Sequence, residues 1–370
     1  MKYFDRYKMD FYPLDSRISK VKIDESSVEP DELTSNLGKS IENRLDIITN
    51  EIIEAKKNGK SVILAFGAHT IKNGMGLVLS ALVEEGWITH LATNGAGVIH
   101  DWEFSYLGLS SEDVRTNVQE GKFGTWEETG LYINLALAAG AYEGLGYGES
   151  VGAMISAEGL NIPLKETLME TIQSADPDLP LWKRAAATDF LELIQTEKLS
   201  PGWLSIRHPF SSYSIQARAF KNGTPFTSHP MFGHDIIYTH RANRGAAIGR
   251  CAERDFLSFV NSVSELEGGV YLSVGSAVMS PMIFEKALSM ARNVAQKNGS
   301  FIRNCALHVV DLQKETWDWT KGEPPVDNPA YYLRFMKTFN RMGCPVDYTS
   351  MDNRDFLLHL YQNLQKKKGQ

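Results

Sequence analysis

Apolar residues near the start of the chain follow first a helical period and then a continuous run. Between Asn36 and Lys57, Leu45, Ile48 and Ile52 recur at the three- and four-residue spacing of one helix face. The segment "SVILAF" at 61–66 is wholly apolar, which is typical of a strand buried on both faces of a parallel sheet. The pattern therefore predicts a helix followed by a buried strand.

The next forty residues or so extend this into a repeating unit. "GAHTIKNG" (67–74) predicts a loop, "MGLVLSALVEEG" (75–86) a helix, "WITHLAT" (87–93) a second strand, and "NGAGVIHDWE" (94–103) a second loop. This order of elements indicates a βαβ unit of a doubly wound sheet. Ligands of such sheets bind beyond the carboxyl ends of the strands, which is where both predicted loops fall.

The rest of the chain continues the mixture of elements. Strand-like runs lie within 203–210, 223–240, 268–274 and 304–312, and helical patterns lie within 246–266, 284–299, 329–343 and 352–367. We therefore predict a single α/β domain with a doubly wound, mainly parallel sheet. It would consist of an N-terminal extension (1–35), a core (36–312) and a C-terminal helical extension (313–370).

Composition and charge disfavour several classes of protein, among them nucleic-acid-binding and membrane proteins. The net charge of -7 over 370 residues disfavours nucleic-acid binding, since there is no basic stripe to neutralise phosphates. No apolar run approaches the ~20 residues of a membrane span, and the first residues do not resemble a signal peptide. Cys251, Cys305 and Cys344 are widely spaced, which predicts no disulfide framework and a reducing, cytoplasmic location.

Three blocks of sequence resemble one family. "SVILAFGAHTIKNGMGLVLSALVEEGWITHLATNGAGVIHD" is similar to the nicotinamide-binding half of deoxyhypusine synthase, with Gly97, Val98 and Asp101 in register with its Thr-Ala-Gly-Gly-Val-Glu-Glu-Asp loop. "SHPMFGHDIIYTH" matches that family at Asp235 and His240. A third block, "GGVYLSVGSAVMSP", is similar to the family's glycine-rich strand end, with Gly275 matching. Together the blocks span about residues 36 to 310. The resemblance implies a Rossmann-type NAD-binding fold and a homo-oligomer, a tetramer in that family.

The chain departs from the family where the polyamine would bind. The paired acids of the family are replaced by Ile99 and His100, and its late histidines by "SPM" at 280–282. Neither Lys314 nor Lys321 matches its lysine nucleophile. Deoxyhypusine synthesis itself is therefore not expected. "NGAGVIHDWE" also resembles the NAD-binding loop of archaeal-type ornithine cyclodeaminases, which oxidise an amine carbon with NAD.

The small residues at the strand ends are the candidate cofactor contacts. A phosphate needs converging backbone N–H groups and no Cβ in the way. Neither the P-loop pattern nor a clean GxGxxG is present, so tight turns are the alternative interpretation. The residues predicted to contact NAD are Gly67, His69, Asn73, Gly74, Asn94, Gly95, Ala96, Gly97, Gly275 and Ser276.

The polar residues after the second strand are candidates for chemistry. His100 has the pKa range suited to general acid–base work, so we predict that it transfers the proton. Asp101 is predicted to be catalytic by orienting the substrate, with helix capping as the alternative. Glu103 is predicted to bind substrate. Glu127 and Glu128 indicate a charged helix start or, alternatively, a carboxylate pair for a cationic substrate.

A histidine-rich segment, "HPMFGHDIIYTH" (229–240), invites a metal interpretation that the spacing disfavours. In a strand, His234 and His240 would be about 20 Å apart, too far to bind one ion. We therefore predict no metal; His234 and His240 are expected to bind substrate, and Asp235 to orient its amine, with structural hydrogen bonding as the alternative.

These residues together predict an NAD-dependent enzyme acting on a small amine or amino acid. Hydride would leave the amine-bearing carbon and give an imine intermediate. The alternative is a non-catalytic nucleotide-binding or regulatory protein of the same fold, because the family's lysine and paired acids are replaced. No nucleic-acid or membrane partner is expected.

Overall fold

The structure, a computed structural model, describes residues 1–368. The chain divides into two compact units. The helical unit comprises Met1–Ser26, Val98–Lys221 and Pro230–Asp255. The sheet unit comprises Ser27–Gly97, Asn222–His229 and the rest of the described chain from Phe256. The predicted single domain with two extensions stays a prediction.

The described residues form ten strands and fifteen α-helices. The strands are β1 Ser19–Lys22, β2 Val62–Phe66, β3 His90–Thr93, β4 Leu109–Glu112, β5 Gly159–Ile162, β6 Gly202–Ser205, β7 Phe226–Ser228, β8 Val270–Val274, β9 Ala306–Asp311 and β10 Val346–Ser350. The helices are α1 Ile23–Ser26, α2 Lys39–Lys57, α3 Ala68–Lys72, α4 Gly76–Glu84, α5 Gly95–Leu107, α6 Val114–Gln119, α7 Glu127–Glu143, α8 Tyr147–Ala157, α9 Lys165–Gln173, α10 Leu181–Thr196, α11 Ile215–Asn222, α12 Gly245–Ser264, α13 Met279–Lys297, α14 Arg334–Asn340 and α15 Asn353–Lys368.

The sheet unit is built on six parallel strands in the order β10-β9-β8-β2-β3-β7. The central strands β2 and β8 are buried at every position, as their continuous apolar runs predict. Helices flank the sheet. The predicted α/β class with a doubly wound, mainly parallel sheet is confirmed.

The direction of winding reverses at the middle of this sheet. The chain passes from β2 to β3 and β7 on one side, then returns to β8 beside β2 and continues to β9 and β10. Gly67 follows β2 and Gly275 follows β8. A Cβ built on Gly67 would lie 2.1 Å from the carbonyl oxygen of Gly275, so only glycine lets the two strand ends approach this closely. Reversal points of this kind are where open α/β sheets bind ligands.

The segment predicted as the second loop is instead the start of a helix. α5 begins at Gly95, and the Asn94 side-chain oxygen accepts the N–H of Gly97 at 2.9 Å. Asparagine at this position satisfies an N–H that the first turn leaves without a partner. Burial of Val98 and Trp102 then outweighs the low helix propensity of the glycines. The expected loop over 94–103 was wrong for this reason.

Three further differences concern strands and cysteines. No strand covers 234–240, where the structure has a short 3₁₀ helix at Ile236–Tyr238. β10 was not predicted, because its sequence, "VDYTS", has little apolar character. Cys305 and Cys344 form a disulfide, which the prediction of no disulfide framework did not anticipate. Their separation of 39 residues concealed that they precede the neighbouring strands β9 and β10.

The helical unit is held by helices packed through small residues and by two two-stranded antiparallel sheets, β1–β4 and β5–β6. A Cβ on Gly140 of α7 would lie 1.8 Å from the Oγ of Ser150 on α8, so these helices meet at a glycine. None of the helices described within residues 1–368 combines the length and apolar character needed to cross a membrane.

The close approach of β2 and β8 can be tested by adding one methyl group. Gly67→Ala should lower the free energy of unfolding by about 1–3 kcal/mol, since the added Cβ meets a backbone oxygen that cannot move aside cheaply. Gly38→Ala is the control, because a Cβ there meets nothing within 4 Å. Urea unfolding followed by circular dichroism measures both. Equal stability of the two variants would contradict the account.

Candidate functional site

The predicted cofactor residues all lie in the sheet unit, beyond the carboxyl ends of its strands. We call this side of the sheet the carboxyl edge, or simply the edge. The residues follow the carboxyl ends of β2, β3 and β8, which are adjacent and parallel. The set is Gly67, His69, Asn73, Gly74, Asn94, Gly95, Ala96, Gly97, Gly275 and Ser276. The fold therefore gathers at one edge residues that are about 200 positions apart in sequence.

The segment after β2 is the short helix α3 rather than the loop predicted over 67–74, and side-chain amides hold the turn that ends it. Asn73 Nδ2 donates to Asn353 Oδ1 at 2.9 Å, and Asn353 Nδ2 lies 3.4 Å from Thr70 Oγ1. The carbonyl of Gly74 accepts the N–H of Val28 at 3.0 Å. Sequence analysis missed Asn353, since it lies 280 residues beyond Asn73 and no local pattern marks it.

Two long helices begin at this edge. Asn94 caps α5, and Ser276 Oγ accepts the N–H of Ser280 at 3.2 Å in the first turn of α13. The start of a helix carries partial positive charge and N–H groups that favour anions. Gly275 and Ala277, just before α13, are exposed.

These features fit the phosphates of a dinucleotide better than its ribose. Small residues and the start of α13 lie at the winding reversal, and the start of α5 lies one strand away, after β3. The acid that commonly binds a ribose hydroxyl after the second strand is replaced by Asn94. An amide can both donate and accept, so Asn94 retains hydrogen-bonding capacity towards a hydroxyl.

The predicted chemical residues lie in the helical unit. Glu103 forms a buried ion pair with Arg17, Nη1 to Oε1 at 2.7 Å, and both side chains are 1% exposed. Thr129 Oγ1 donates to Oε1 at 3.0 Å and Ser110 Oγ donates to Oε2 at 2.6 Å. Burial acts to raise the pKa of Glu103, but the Arg17 charge and the hydrogen bonds from Arg17 and Ser110 lower it overall. His100 Nδ1 lies 2.7 Å from Ser110 Oγ.

Asp101 is buried at the beginning of another helix. Its carboxylate accepts from Ser214 Oγ at 2.5 Å, from Gln216 Nε2 at 2.8 Å and from the N–H of Ile215 at 3.0 Å. Ile215 is the first residue of α11. Burial raises the pKa of Asp101, against the opposing effect of these hydrogen bonds. The structure thus supplies a capping contact, on α11 rather than on the helix that carries Asp101.

His240 belongs to an anchoring network. Its Nδ1 accepts the N–H of Ala242 at 3.1 Å, which leaves Nε2 to donate to Glu127 at 3.4 Å. Arg241 also holds Glu127 with two hydrogen bonds, of 3.0 and 2.6 Å. Burial lowers the pKa of His240 to about 4, so this ring is neutral near pH 7. His234, by contrast, is exposed.

Asp235 lies in a group of buried polar atoms that lack partners. Within residues 1–368, its Oδ2 and the hydroxyls of Tyr147 and Tyr238 have no hydrogen-bond partner. Burial raises the pKa of Asp235 to about 7. Burial raises the pKa of both tyrosines, and the Asp235 charge adds to this effect. Sequence analysis found Asp235 but had no signal for the tyrosines.

The segment that carries Asp235 is firmly held. Asn134 Nδ2 donates to the carbonyl of Ile237 at 3.0 Å, and Thr239 Oγ1 donates to the carbonyl of Gly124 at 2.6 Å. The described residues contain no cluster of three His, Cys, Asp or Glu side chains able to hold a metal ion.

No protein-family model matches the chain, and no curated protein sequence matches it. A protein described as LOR/SDH from Methanococcus maripaludis S2 is similar over 91% of this chain and 71% of its own, with 13% identity and a TM-score of 0.43. AgrE, in its ternary complex with ornithine and NAD+, is similar over 91% of this chain with 13% identity and a TM-score of 0.45. ArgZ, an arginine dihydrolase from the ornithine–ammonia cycle in cyanobacteria, is similar over 88% with 12% identity and a TM-score of 0.43.

The chain spans 35% of the AgrE chain and 33% of the ArgZ chain. Similarity at these identities and scores assigns no activity. The resemblance to deoxyhypusine synthase, the use of NAD and the roles of the site residues stay predictions.

The buried ion pair is open to test by an isosteric change. Glu103→Gln should lower the free energy of unfolding by about 3–5 kcal/mol, because Arg17 would keep a buried charge without its partner. Asp113→Asn, which removes the exposed Lys20–Asp113 pair, should change stability little. Denaturant midpoints of the two variants measure the difference. Similar losses in both would show that the burial of the pair has no energetic consequence.

The raised pKa of Asp235 predicts a pH dependence of stability. Between about pH 4 and pH 7 the folded state holds a proton that the unfolded state has lost, so stability falls as pH rises through this window. In the variant Asp235→Asn, the side chain at this position cannot titrate. As the pH increases from about 4 to 7, the free energy of unfolding of Asp235→Asn relative to wild type should therefore rise by up to about 1.4 kcal/mol per pH unit. Asp178→Asn is the control, because it removes one carboxylate from an exposed position. Thermal unfolding at several pH values measures these stabilities. A stability difference between Asp235→Asn and wild type that does not change with pH would contradict the proposed effect of burial on Asp235.

Proposed function

We propose that the chain is an NAD-dependent enzyme that oxidises a small amine or amino acid through hydride abstraction and an imine intermediate. The observation that carries the proposal is the reversal of winding between β2 and β8, with Gly67 and Gly275 in contact at the two strand ends. Parallel sheets with this strand order commonly bind dinucleotides at that point.

Residues of the sheet unit would hold the cofactor. The starts of α5 and α13 would receive the phosphates, with the backbone of Gly95, Ala96 and Ser276 closest to them. Asn94 would bind a ribose hydroxyl in place of the usual acid. His69, on α3, and Asn73, directly after it, complete this set. When bound, NAD+ supplies a hydride acceptor.

In the helical unit, the Asp235 group fits a primary ammonium. An ammonium has three N–H donors, and Asp235 Oδ2 and the two tyrosine hydroxyls are three oxygens in need of partners. Binding a cation there would satisfy buried polar atoms and favour the ionised form of Asp235. His234 and His240 flank Asp235 in the chain and would contact the substrate, His240 with a neutral ring.

His100 would accept the proton that the amine must lose. Oxidation removes a hydride, with its electron pair, from the carbon and a proton from the nitrogen, and a C=N bond forms. A histidine is suited to take this proton near neutral pH. Asp101 would keep α11 in place beside α5. The replaced acids at Ile99 and His100 continue to argue against deoxyhypusine synthesis.

One observation favours the alternative, a non-catalytic nucleotide-binding or regulatory protein. The carboxylates of Asp101 and Glu103, both predicted to act on substrate, are occupied by partners within the helical unit. A protein that binds NAD without turnover would have the same sheet edge. The expected homo-oligomer stays a prediction in either case.

Binding of NAD can be tested at the start of α13. At 100 times its Kd, NAD should add about 2.7 kcal/mol to the free energy of unfolding and so raise the melting temperature. Ala277→Asp places a negative charge beside the proposed phosphates while suiting the helix start, so it should abolish the rise. Ala277→Asn, with the same shape and no charge, should keep most of it. Calorimetry with and without NAD measures all three proteins.

A wild-type melting temperature unchanged at millimolar NAD would refute the proposal at its first step. If NAD binds, small amines and amino acids are added and NADH is followed by its near-ultraviolet absorbance. NADH formation that His100→Ala abolishes supports the enzyme. Binding without any NADH formation supports the regulatory alternative.

A further inference from the structure

A continuous line of hydrogen bonds runs through the helical unit from Arg17 to His100. Arg17 Nη2 donates to Glu103 Oε2 at 2.8 Å, and Ser110 Oγ lies 2.6 Å from the same oxygen. Ser110 Oγ also lies 2.7 Å from His100 Nδ1. Ser110, Glu103 and Arg17 are buried, and His100 is half-buried.

Local structure explains why these groups meet. His100 and Glu103 lie three residues apart on α5 and so share one face of the helix. Ser110 comes from β4, which pairs antiparallel with β1 through Val21 and Ser110. Arg17 lies two residues before β1. The pairing of β1 with β4 therefore brings the cation and the hydroxyl to one side of α5.

The hydrogens available between Arg17 and His100 determine which atom donates and which accepts in each hydrogen bond. Glu103 is ionised, because Arg17 holds both of its oxygens and the net effect on its pKa is downward. A carboxylate only accepts hydrogen bonds, so the hydrogen between it and Ser110 belongs to the hydroxyl. A hydroxyl has one hydrogen, and Ser110 has given it to Glu103. Ser110 can therefore only accept from His100, whose Nδ1 must carry a hydrogen.

We propose that Ser110, supported by Glu103 and Arg17, is a positioning residue that holds neutral His100 in its Nδ1–H tautomer and makes Nε2 the basic nitrogen. Free histidine favours the opposite tautomer, with the hydrogen on Nε2. The relay thus selects the less common form and fixes the orientation of the ring. A carboxylate that orients a histidine through its other nitrogen is a frequent arrangement for proton transfer; here a serine stands between the two.

The use of this tautomer in catalysis rests on the proposed function, in which His100 accepts the amine proton. The tautomer itself does not depend on NAD or on substrate. Glu103 then has a different part from the substrate contact predicted from sequence. Its oxygens are taken by Arg17, Ser110 and Thr129, which favours a supporting part within the relay.

Nitrogen-15 NMR of labelled histidine reports the tautomer directly. Long-range proton–nitrogen correlation spectra are recorded on the full chain, without NAD, at about pH 8, where an ordinary histidine is neutral. The chain has nine histidines, and His100→Gln identifies the signals of His100. In the wild type, Nδ1 should show the shift of a protonated ring nitrogen and Nε2 that of an unprotonated one.

Ser110→Ala should move the two nitrogen shifts towards each other or reverse them, because the acceptor for Nδ1–H is lost. Ser105→Ala is the matched control, since Ser105 is also buried and its hydroxyl donates to the carbonyl of Trp102. Ser110→Thr keeps the hydroxyl and should restore the wild-type pattern. The control should leave the His100 signals unchanged.

A wild-type His100 with its hydrogen on Nε2 would overturn the proposal, whatever the variants do. Shifts unaffected by Ser110→Ala would overturn the role of Ser110. If Ser110→Ala does not fold, the wild-type and Ser110→Thr spectra still decide. Failure of NAD binding would refute the proposed function and leave the tautomer result intact, so the two failures are distinguishable.

Discussion

The contact between Gly67 and Gly275 is the constraint on which the sheet unit depends. Because a Cβ at Gly67 would meet the carbonyl oxygen of Gly275, the ends of β2 and β8 can come together only with glycine there. That approach lies where the winding reverses, so the segments after both strands meet beyond their carboxyl ends. The helix starts capped by Asn94 and Ser276 face the same edge and give it a preference for anions.

The helical unit depends on a different constraint, the cost of buried charge. Glu103 and Arg17 are both removed from water and stabilise each other only while their hydrogen bonds remain complete. Asp235 Oδ2 has no hydrogen-bond partner within the described residues, and burial raises the pKa of Asp235. One carboxylate is thus held ionised by its surroundings, while the other would become fully ionised on receiving a cation. The first suits support of a neighbouring group, and the second suits a ligand.

The fold was predictable from sequence where the pattern is local and strong. The apolar runs at β2 and β8 and the helical spacing of α2 are read correctly because burial on two faces, or on one helix face, leaves a direct mark. The beginning of α5 was missed because its glycines resemble a loop, although Asn94 is a good capping residue and could have indicated a helix.

The candidate sites were only partly predictable. The residues at the strand ends could be found, since parallel strands bring their loops together. Ser110 and Arg17 could not, because they reach His100 through the pairing of β1 with β4, and Asn353 reaches Asn73 across the length of the chain. The Tyr147 and Tyr238 hydroxyls are marked only by the hydrogen bonds they lack, which no sequence pattern records.

Hydrogen exchange with and without NAD tests the central claim most directly, since it reports which backbone amides the cofactor protects. The account predicts slower exchange at residues 67–74, 94–97 and 275–280, with strands β5 and β6 of the helical unit unchanged. Exchange that is unaltered in all three segments at saturating NAD, or slowed only elsewhere, would contradict it.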